Sequence, residues 1–380
     1  MKEVFRILAI NPGSTSTKVA VFENDKKVFD LNLAHAAEDL ALFQEIPEQK
    51  GYRRGMIVDA LEAAGYSIGD MDAFVGRGGG MESCQSGTYP VGGILLEHAA
   101  TCHAAKHPSV LGAVLSHEFA MATGKPAYIV NPPDVDELED VARITGIRGV
   151  YRQSRYHVLN QKETGRRAAV ALGKTYEESN LIVAHIGGGI SIAAHRGGRV
   201  VDVNDIINGD GPMAPTRCGS VAVGSMLALL KKNSPEELKE MTSKNGGIVN
   251  LLGTSDMREV SARIAAGDEQ AKLTYDAMIY QIGKSIGSCA AVLHGQVDGV
   301  VLTGGISYDA YVVDSLKKMV SFIAPVLVFP GENEMEALAA GALRVLRGEE
   351  ELKTYSGKAI WQGFPWDRED QEQTAKNENH

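Results

Sequence analysis

Two stretches that lie half a chain apart share one pattern and decide the fold. The first is FRILAINPGSTSTKVAVF at residues 5–22, and the second is LIVAHIGGGISIAA at residues 181–194. In each, an apolar strand leads into a turn of glycine or small hydroxyl residues, and a second strand, a polar turn and a third strand follow. Two such three-strand meanders predict a chain built from two similar lobes.

Outside the meanders, helical and strand patterns alternate. Helical spacing and capping residues predict helices over 52–64, 108–123, 234–243, 268–293 and 334–347. Residues 297–302 have the composition of a buried strand, and strands that alternate with helices place the chain in the α/β class. The chain turns polar from about Tyr355, and we expect residues 367–380 to form a frayed tail.

Composition excludes several classes of function. The 380 residues carry a formal net charge of −10, whereas a nucleic-acid-binding surface needs a basic stripe. Four widely spaced cysteines contain no C-x-x-C pair for zinc or redox chemistry. The N-terminus has no signal-peptide pattern, and the longest apolar run, around 319–329, is too short to span a bilayer. We therefore expect a soluble, cytoplasmic protein without nucleic-acid or membrane partners.

Three turns are candidates for binding phosphate. Residues 11–18 combine small residues and hydroxyls with the charge of Lys18, residues 187–189 are all glycine, and 303–305 follow the predicted buried strand. Two familiar nucleotide signatures fail. Gly-Lys-Thr at 173–175 lacks the first glycine of a Walker loop and follows a helix, and Pro212 prevents 209–214 from opening a helix as a dinucleotide fingerprint does.

Four spaced motifs resemble those of the acetokinase family and occur in the same order. They are NPGSTSTK at 11–18, HIGGGISIAA at 185–194, PTRCG at 215–219 and TGGI at 303–306. The resemblance runs from about Arg6 to Arg347. It is greatest to the butyrate branch of the family, because of the NPGSTS at 11–16, the triple glycine at 187–189, the DGP at 210–212 and the GTSDMREV at 253–260.

The resemblance implies two duplicated ribonuclease-H-like lobes, the actin-like ATPase fold of actin, hexokinase and Hsp70, with an interlobe cleft. Residues 1–150 and 335–350 would form the first lobe, which carries the acyl-substrate side and the first phosphate hairpin. Residues 151–334 would form the nucleotide-binding lobe, and 351–380 a C-terminal tail. A homo-oligomer of at least two chains is also implied.

The implied reaction is reversible phosphoryl transfer from ATP to butyrate, with Mg²⁺, giving butyryl phosphate and ADP. A carboxylate is already deprotonated at pH 7, so such a site needs positive charge and alignment more than a general base. Two alternatives remain open: a kinase of acetate, propionate or branched acids, and a non-catalytic actin-like nucleotide-binding protein.

The resemblance also assigns roles to individual residues. The catalytic candidates are Arg217, Arg77, His157 and Asp136. The candidates for binding substrate and phosphate are Asn11, Ser14, Ser16, Lys18, His107 and His185. The nucleotide-binding candidates are Gly187, Gly188, Gly189, Asp256, Arg258, Gly304 and Gly305. Glu334 would help to hold Mg²⁺ through its waters. Arg217 would clamp the transferred phosphoryl group, and Arg77 would bind the substrate carboxylate.

Three of these assignments have alternatives. The carboxylate role near residue 131 is open between Asp134 and Asp136, with Asp136 favoured, and the acidic group at 134–140 otherwise reads as a solvated helix N-terminus. Asp256 and Arg258 would also suit a surface ion pair. His103 and His107 lie four residues apart on a predicted helix end but lack a third ligand for zinc, which leaves His103 as a surface residue.

Overall fold

The structure, a computed structural model, describes residues 3–367. Within that range the strands are β1 Arg6–Pro12, β2 Ser16–Glu23, β3 Lys26–Ala34, β4 Ala73–Gly76, β5 Thr88–Pro90, β6 Ala127–Val130, β7 Asn180–Ile186, β8 Ile190–Arg196, β9 Arg199–Val203, β10 Gly299–Gly304 and β11 Val326–Pro330. The α-helices are α1 Ala37–Leu40, α2 Lys50–Ala63, α3 Gly93–Thr101, α4 Leu111–Thr123, α5 Asp140–Arg143, α6 Val158–Ala171, α7 Val223–Leu229, α8 Pro235–Ser243, α9 Ile248–Leu252, α10 Met257–Ala265, α11 Glu269–Val292, α12 Ala310–Val320 and α13 Glu334–Arg347.

The described chain divides into two compact units. Unit 1 contains residues 3–136, 143–152 and 335–367, and unit 2 contains residues 137–142 and 153–334. Of the predicted frayed tail, only Asp367 lies within the described residues.

The two sheets repeat one topology. The sheet of unit 1 has the order β3-β2-β1-β4-β6-β5, and that of unit 2 has the order β11-β10-β7-β8-β9. Each begins with an antiparallel meander, and the first meander strand pairs in parallel with the next strand of the core. Both meanders even carry a register shift in the second strand pair. The predicted duplication is therefore confirmed, and β5 is an addition to unit 1.

The predicted helices are present, with ends shifted by a few residues. Ser234 caps α8 and Asp268 caps α11 through side-chain bonds to main-chain N–H groups, as expected for residues that begin helices. The predicted 108–123 helix begins with a 3-10 turn, Pro108–Val110, before α4. The predicted strand at 297–302 is β10, which begins at Gly299.

Alternation along β7 explains how unit 2 is layered. Leu181 and Val183 pack under α6, whereas Ile182 and Ala184 belong to the larger core beneath α11 and α12. Because β7 and β10 are parallel, their carboxyl ends meet at the same edge of the sheet. That edge carries the glycine turn at 187–189 and Gly304.

The acidic segment 134–140 does not form a solvated helix N-terminus, so that prediction is wrong. Asp134, Asp136 and Glu137 are at most 9% exposed, and the main chain of this segment pairs with Cys84 as an isolated bridge. Only Asp140 begins a helix, the four-residue α5. Two of these carboxylates are paired with cations: Lys162 Nζ lies 2.8 Å from Glu137 Oε2, and Arg143 Nη1 lies 2.7 Å from Asp136 Oδ2.

Residues 351–367 pack against unit 1. The N–H of Lys353 donates to Thr88 O at 2.9 Å, and the Tyr355 hydroxyl accepts from the N–H of Glu82 at 2.8 Å. Farther on, the rings of Trp361 and Phe364 meet Tyr151 edge to face. The described part of the C-terminal segment thus covers apolar surface of unit 1 that would otherwise face water.

Candidate active site

The triple-glycine turn of unit 2 has two kinds of glycine. A Cβ at Gly189 would overlap the Arg217 guanidinium, and a Cβ at Gly187 would lie 3.0 Å from His185 Nε2. At Gly188, by contrast, a Cβ would meet nothing within 4 Å. Gly187 and Gly189 are therefore required by the side chains of His185 and Arg217, which pack against the turn, whereas the main chain at Gly188 is open.

Arg217 is held against this turn without partners for most of its guanidinium. Its loop is closed by main-chain bonds between Ala214 and Arg217, of which Ala214 N to Arg217 O is 3.0 Å. Its Nε and Nη1 are buried and have no hydrogen-bond partner. Burial lowers the pKa of Arg217 from its ordinary value, partly offset by the charge of Asp205. A guanidinium remains charged at neutral pH, so the turn presents a cation whose hydrogen bonds are unsatisfied.

Two stacked histidines lie beside the turn. The ring centroids of His157 and His185 are 3.8 Å apart, with an angle of 14° between the planes. His157 precedes α6 and His185 lies near the end of β7, so a helix start and a strand end hold the pair. His185 Nε2 is buried without a hydrogen-bond partner, although Glu332 Oε1 approaches it to 3.5 Å.

A cavity of about 810 Å³ opens next to the turn within unit 2. Gly187, Gly188 and Glu332 contribute to its lining, as do Tyr275 and Asp309. The Tyr275 hydroxyl donates to Asp309 Oδ2 at 2.9 Å, and burial raises the pKa of that tyrosine. A cavity of this size that is lined by open glycine main chain suits a nucleotide.

Asp256 and Arg258 line the same cavity and also form the alternative ion pair. Arg258 Nη2 lies 2.6 Å from Asp256 Oδ2, and Asp256 accepts the N–H of Arg258 at the start of α10. These hydrogen bonds from Arg258 lower the pKa of Asp256 to about 2. The Arg258 side chain is 92% exposed, so it is available to a bound ligand while it pairs.

The remaining nucleotide-binding candidates are Gly304, which close packing requires to be glycine, and Gly305, whose main chain is open. Gly304 has φ of 91°, and a Cβ there would overlap the carbonyl of Ile186, so the close approach of the ends of the parallel strands β7 and β10 requires glycine. Gly305 lines the cavity, and a Cβ there would meet nothing within 4 Å.

The unit 1 candidates gather around the first hairpin turn. The turn is closed by a 2.7 Å bond from Gly13 N to Ser16 O. Ser14 and Lys18 are exposed, and Asn11 and Ser16 are half-buried. Exposed hydroxyls and an exposed ammonium fit the predicted role in binding phosphate, which stays a prediction.

Arg77 and His107 form the second part of the unit 1 group. Arg77 N donates to Ile10 O at 2.9 Å, which fixes Arg77 beside the end of β1. A Cβ at Gly112 would overlap the Arg77 main chain, so α4 can approach only through glycine. Desolvation, followed by the charge of Arg77, lowers the pKa of His107. The charge of Arg77 therefore acts on the His107 imidazole.

The prediction that His103 and His107 share a helix end is wrong. Helix α3 ends at Thr101, and Cys102 follows in a left-handed conformation with φ of 52°. His103 turns back to contact Glu82 Oε1 at 2.9 Å, whereas His107 accepts the N–H of Ser109 at the next turn. In the part of the chain that the structure describes, no group of three or more His, Cys, Asp or Glu could hold a metal ion.

Asp136 and Glu334 are placed differently from the other candidates. Both oxygens of Asp136 accept from Arg143, at 2.7 and 2.8 Å, in a buried bidentate pair of unit 1. Its catalytic role stays a prediction. Glu334 is the first residue of α13, and Glu332, two residues earlier, lines the cavity together with Asp256 and Asp309.

Sequence reasoning missed the residues behind the histidines. Asn160, Gln161 and Ser191 hydrogen-bond to His157, to His185 or to each other, and Glu332 faces the turn. A signal was present for two of them, because Asn160 and Gln161 lie three and four residues after His157 and so share its side of a helix.

Comparison with known proteins places this geometry in context. The model of the acetokinase family matches residues 144–324, a little under half of the chain. Acetate kinase of Porphyromonas gingivalis has a TM-score of 0.72 at 21% identity, over 90% of this chain and 100% of that one. A propionate kinase from Francisella tularensis has a TM-score of 0.70 at 19% identity, and the match covers 88% of this chain and 98% of that one. Acetate kinase from Entamoeba histolytica has a TM-score of 0.70 at 17% identity, and the match covers 92% of this chain and 100% of that one.

These similarities establish the fold. TM-scores of 0.70 to 0.72, together with the two repeated sheets of this chain, identify the duplicated α/β, actin-like fold that the family resemblance implied. Among residues 3–367, no helix is both long and apolar enough to cross a bilayer.

Proposed function

We propose that this chain, which matches the acetokinase family over residues 144–324, is an ATP-dependent carboxylate kinase that phosphorylates butyrate. One observation carries the proposal. Arg217 Nε and Nη1 and His185 Nε2 are buried donors without partners, and they border the same glycine turn. Burying unsatisfied donors is costly, so such a cluster is kept for a ligand that accepts from all of them. A phosphate has the required charge and number of oxygens.

The mechanism follows from charge. The substrate carboxylate is ionised at neutral pH, so the reaction needs no base but must bring two anions together. Arg217 neutralises the equatorial oxygens of the transferred group, and the neighbouring His157 and His185 add hydrogen bonds. Arg77, assigned on the family resemblance, binds the carboxylate. We assign the open main chain of Gly188 and Gly305, and the cavity beside it, to the nucleotide phosphates and adenosine.

The residues present fit a Mg²⁺ ion that is held mainly by nucleotide phosphates and water. Mg²⁺ in kinases uses one or two carboxylates rather than a full protein cage. Glu334, with Glu332 beside it at the cavity, would supply them. When bound, the ion would neutralise phosphate charge.

We propose butyrate as the preferred acid because of the motifs that distinguish the butyrate branch of the family. Each methylene in a pocket is worth only about 1–3 kcal/mol, so overlap with acetate, propionate and branched acids is expected. Self-association and a cytoplasmic location stay predictions.

A hydroxamate assay with ATP, Mg²⁺ and a series of C2 to C5 acids tests the proposal. We expect acyl phosphate from butyrate at the highest kcat/KM. A strong preference for acetate would overturn the butyrate assignment, and a preference for a branched acid would replace it. Absence of product with every acid, with ATP binding intact, would favour a non-catalytic nucleotide-binding protein.

A further inference from the structure

A continuous chain of buried polar side chains runs behind His157 in unit 2. It connects Tyr176 to His195, His195 to Gln161, Gln161 to Ser191, and Ser191 to His157. The four separations, from hydroxyl, ring and amide atoms, are 2.8, 3.0, 2.9 and 3.0 Å. The first four residues are each at most 3% exposed. Every group in this chain must therefore find its partner inside the protein.

Main-chain carbonyls fix the direction of these hydrogen bonds. Gln161 Nε2 faces Val183 O at 3.2 Å and Ser191 O at 2.9 Å, and a carbonyl can only accept. The amide NH₂ of Gln161 therefore points at those oxygens, and its Oε1 faces His195 Nε2. His195 must then donate from Nε2, and its Nδ1 accepts from the Tyr176 hydroxyl.

The surroundings of His195 agree with this direction. Burial, with a smaller effect from the charge of Lys162, lowers the pKa of His195 to about 3, so the ring is neutral and has one donor and one acceptor nitrogen. A Cβ at Gly165 would lie 2.8 Å from Tyr176 Cε2 and 3.2 Å from His195 Nδ1. Helix α6 thus lacks a side chain where the polar chain passes beneath it.

The consequence appears at Ser191. Its Oγ lies 2.9 Å from Gln161 Nε2 and 3.0 Å from His157 Nδ1. An amide nitrogen cannot accept a hydrogen bond, so among the described residues His157 Nδ1 is the acceptor for the Ser191 hydroxyl proton. A neutral imidazole that accepts at Nδ1 carries its own proton at Nε2. The hydrogen-bond chain therefore selects one tautomer of His157.

His185 reaches the same tautomer by an independent route. Asn160 Oδ1 accepts the main-chain N–H of Asn333 at 3.3 Å, so the amide nitrogen of Asn160 faces the other way. That nitrogen lies 2.8 Å from His185 Nδ1 and donates to it. His185 is then protonated at Nε2, the atom that is buried without a hydrogen-bond partner beside Gly187.

We propose that Ser191, Gln161 and Asn160 are positioning residues that hold His157 and His185 as neutral Nε2–H tautomers. The inference rests on the proposed function, in which both rings contact the transferred phosphoryl group. Held in this way, the two stacked rings present N–H donors to phosphate oxygens and take no proton during the reaction.

Imidazole ¹⁵N NMR of the full-length protein at pH 7.5 tests the tautomers directly. His157→Gln and His185→Gln assign the two sets of ring signals. We expect both rings to show a protonated Nε2 and an unprotonated Nδ1. A protonated Nδ1 on His157 would overturn the role of Ser191 and Gln161, and one on His185 that of Asn160.

A pair of matched variants tests the consequence for activity. Ser191→Ala removes the donor to His157, so we expect a mixture of His157 tautomers and a fall in kcat of about tenfold with the nucleotide KM unchanged. Ser179→Ala is the control, because Ser179 is also 0% exposed and its hydroxyl donates only to Thr175 O. Equal kcat in the two variants, or a wild-type tautomer in Ser191→Ala, would contradict the proposal.

The two proposals fail in different ways. If no acid is phosphorylated by the wild-type protein, the proposed function fails, while the spectra still report the tautomers. If Ser191→Ala does not fold, the wild-type spectra alone decide the assignment.

Discussion

An arginine lies against the first hairpin turn of each meander, and the two arginines differ in one respect. In unit 1, Arg53 is fully buried, and its Nη1 donates to Thr17 Oγ1 at 2.9 Å and to Ser16 O at 3.2 Å. Its Nε and Nη2 both donate to Gln49 Oε1. In unit 2, Arg217 has a buried Nε and Nη1 without partners.

The difference separates an arginine whose hydrogen bonds are satisfied by the protein from one that we propose serves a ligand, within a single duplicated fold. Arg53 uses its donors to hold the turn in place, so its burial is compensated by the protein itself. Arg217 leaves donors unsatisfied, which costs stability until an anion arrives. The location of an arginine beside a glycine or serine turn is therefore not informative, whereas the state of its hydrogen bonds is.

Arg217→Ala is expected to have the largest effect. We expect kcat to fall at least on the order of a hundredfold, because charge on the transferred phosphoryl group loses its clamp, while the ATP Kd changes little. The midpoint of urea unfolding should stay the same or rise, because an unsatisfied buried cation is removed. Hydroxamate kinetics and unfolding curves measure both. Normal turnover would remove Arg217 from the mechanism and the comparison with it.

The glycines of the two turns give the second prediction. Gly189→Ala places a methyl group on the Arg217 guanidinium, so we expect a loss of kcat that approaches that of Arg217→Ala. In Gly13→Ala the new Cβ meets only Ser16 O at 3.4 Å, an ordinary contact, and kcat should fall less than about tenfold. Similar losses in both variants would show that the turns tolerate side chains equally.

Arg53→Ala should reverse the profile of Arg217→Ala. Its removal leaves a cavity and takes donors away from Gln49 and Ser16. We therefore expect the free energy of unfolding to fall by about 2–4 kcal/mol. The kcat of the folded fraction, determined by active-site titration, should remain within about threefold of wild type. A large loss of kcat at unchanged stability would mean that Arg53, too, serves the reaction.

Acid sensitivity gives the smallest predicted effect. Burial, and then the charge of Arg53, lowers the pKa of His35 in unit 1 to about 4, below the ordinary 6.5. The unfolded chain then binds the proton more readily, so stability is complete above pH 6.5 and declines as pH falls toward 4. For one such histidine the loss between pH 7.5 and 5 is about 2 kcal/mol. His35→Gln should make the unfolding midpoint less pH-dependent, and an unchanged pH dependence would contradict the buried neutral His35.

The sequence predicted the repeated meanders well, because strand alternation and small-residue turns are local patterns. It did not predict the burial of Asp136 and Glu137, because each is paired with a cation that comes later in the chain, Arg143 and Lys162 respectively. A run of acidic residues alone resembles a solvated helix start.

The site was predictable in part. Arg217 and His185 stand in motifs that mark the turn, but the unsatisfied state of their donors is a property of three-dimensional packing. Tyr176 and His195 carry no recognisable signal in the sequence, since nothing local connects a tyrosine before β7 with a histidine in β8. Networks of buried hydrogen bonds of this kind are visible only once the helix lies on the sheet.

The division of the chain also sets the order in which the two units are completed during synthesis on the ribosome. Unit 2 is complete in the nascent chain once residue 334 has emerged, whereas unit 1 still lacks α13 and the segment through Trp361 and Phe364. The first 136 residues are therefore made before the later segments that complete their unit, and unit 2 is made in between. Unit 1 begins earlier along the chain than unit 2 and is completed later.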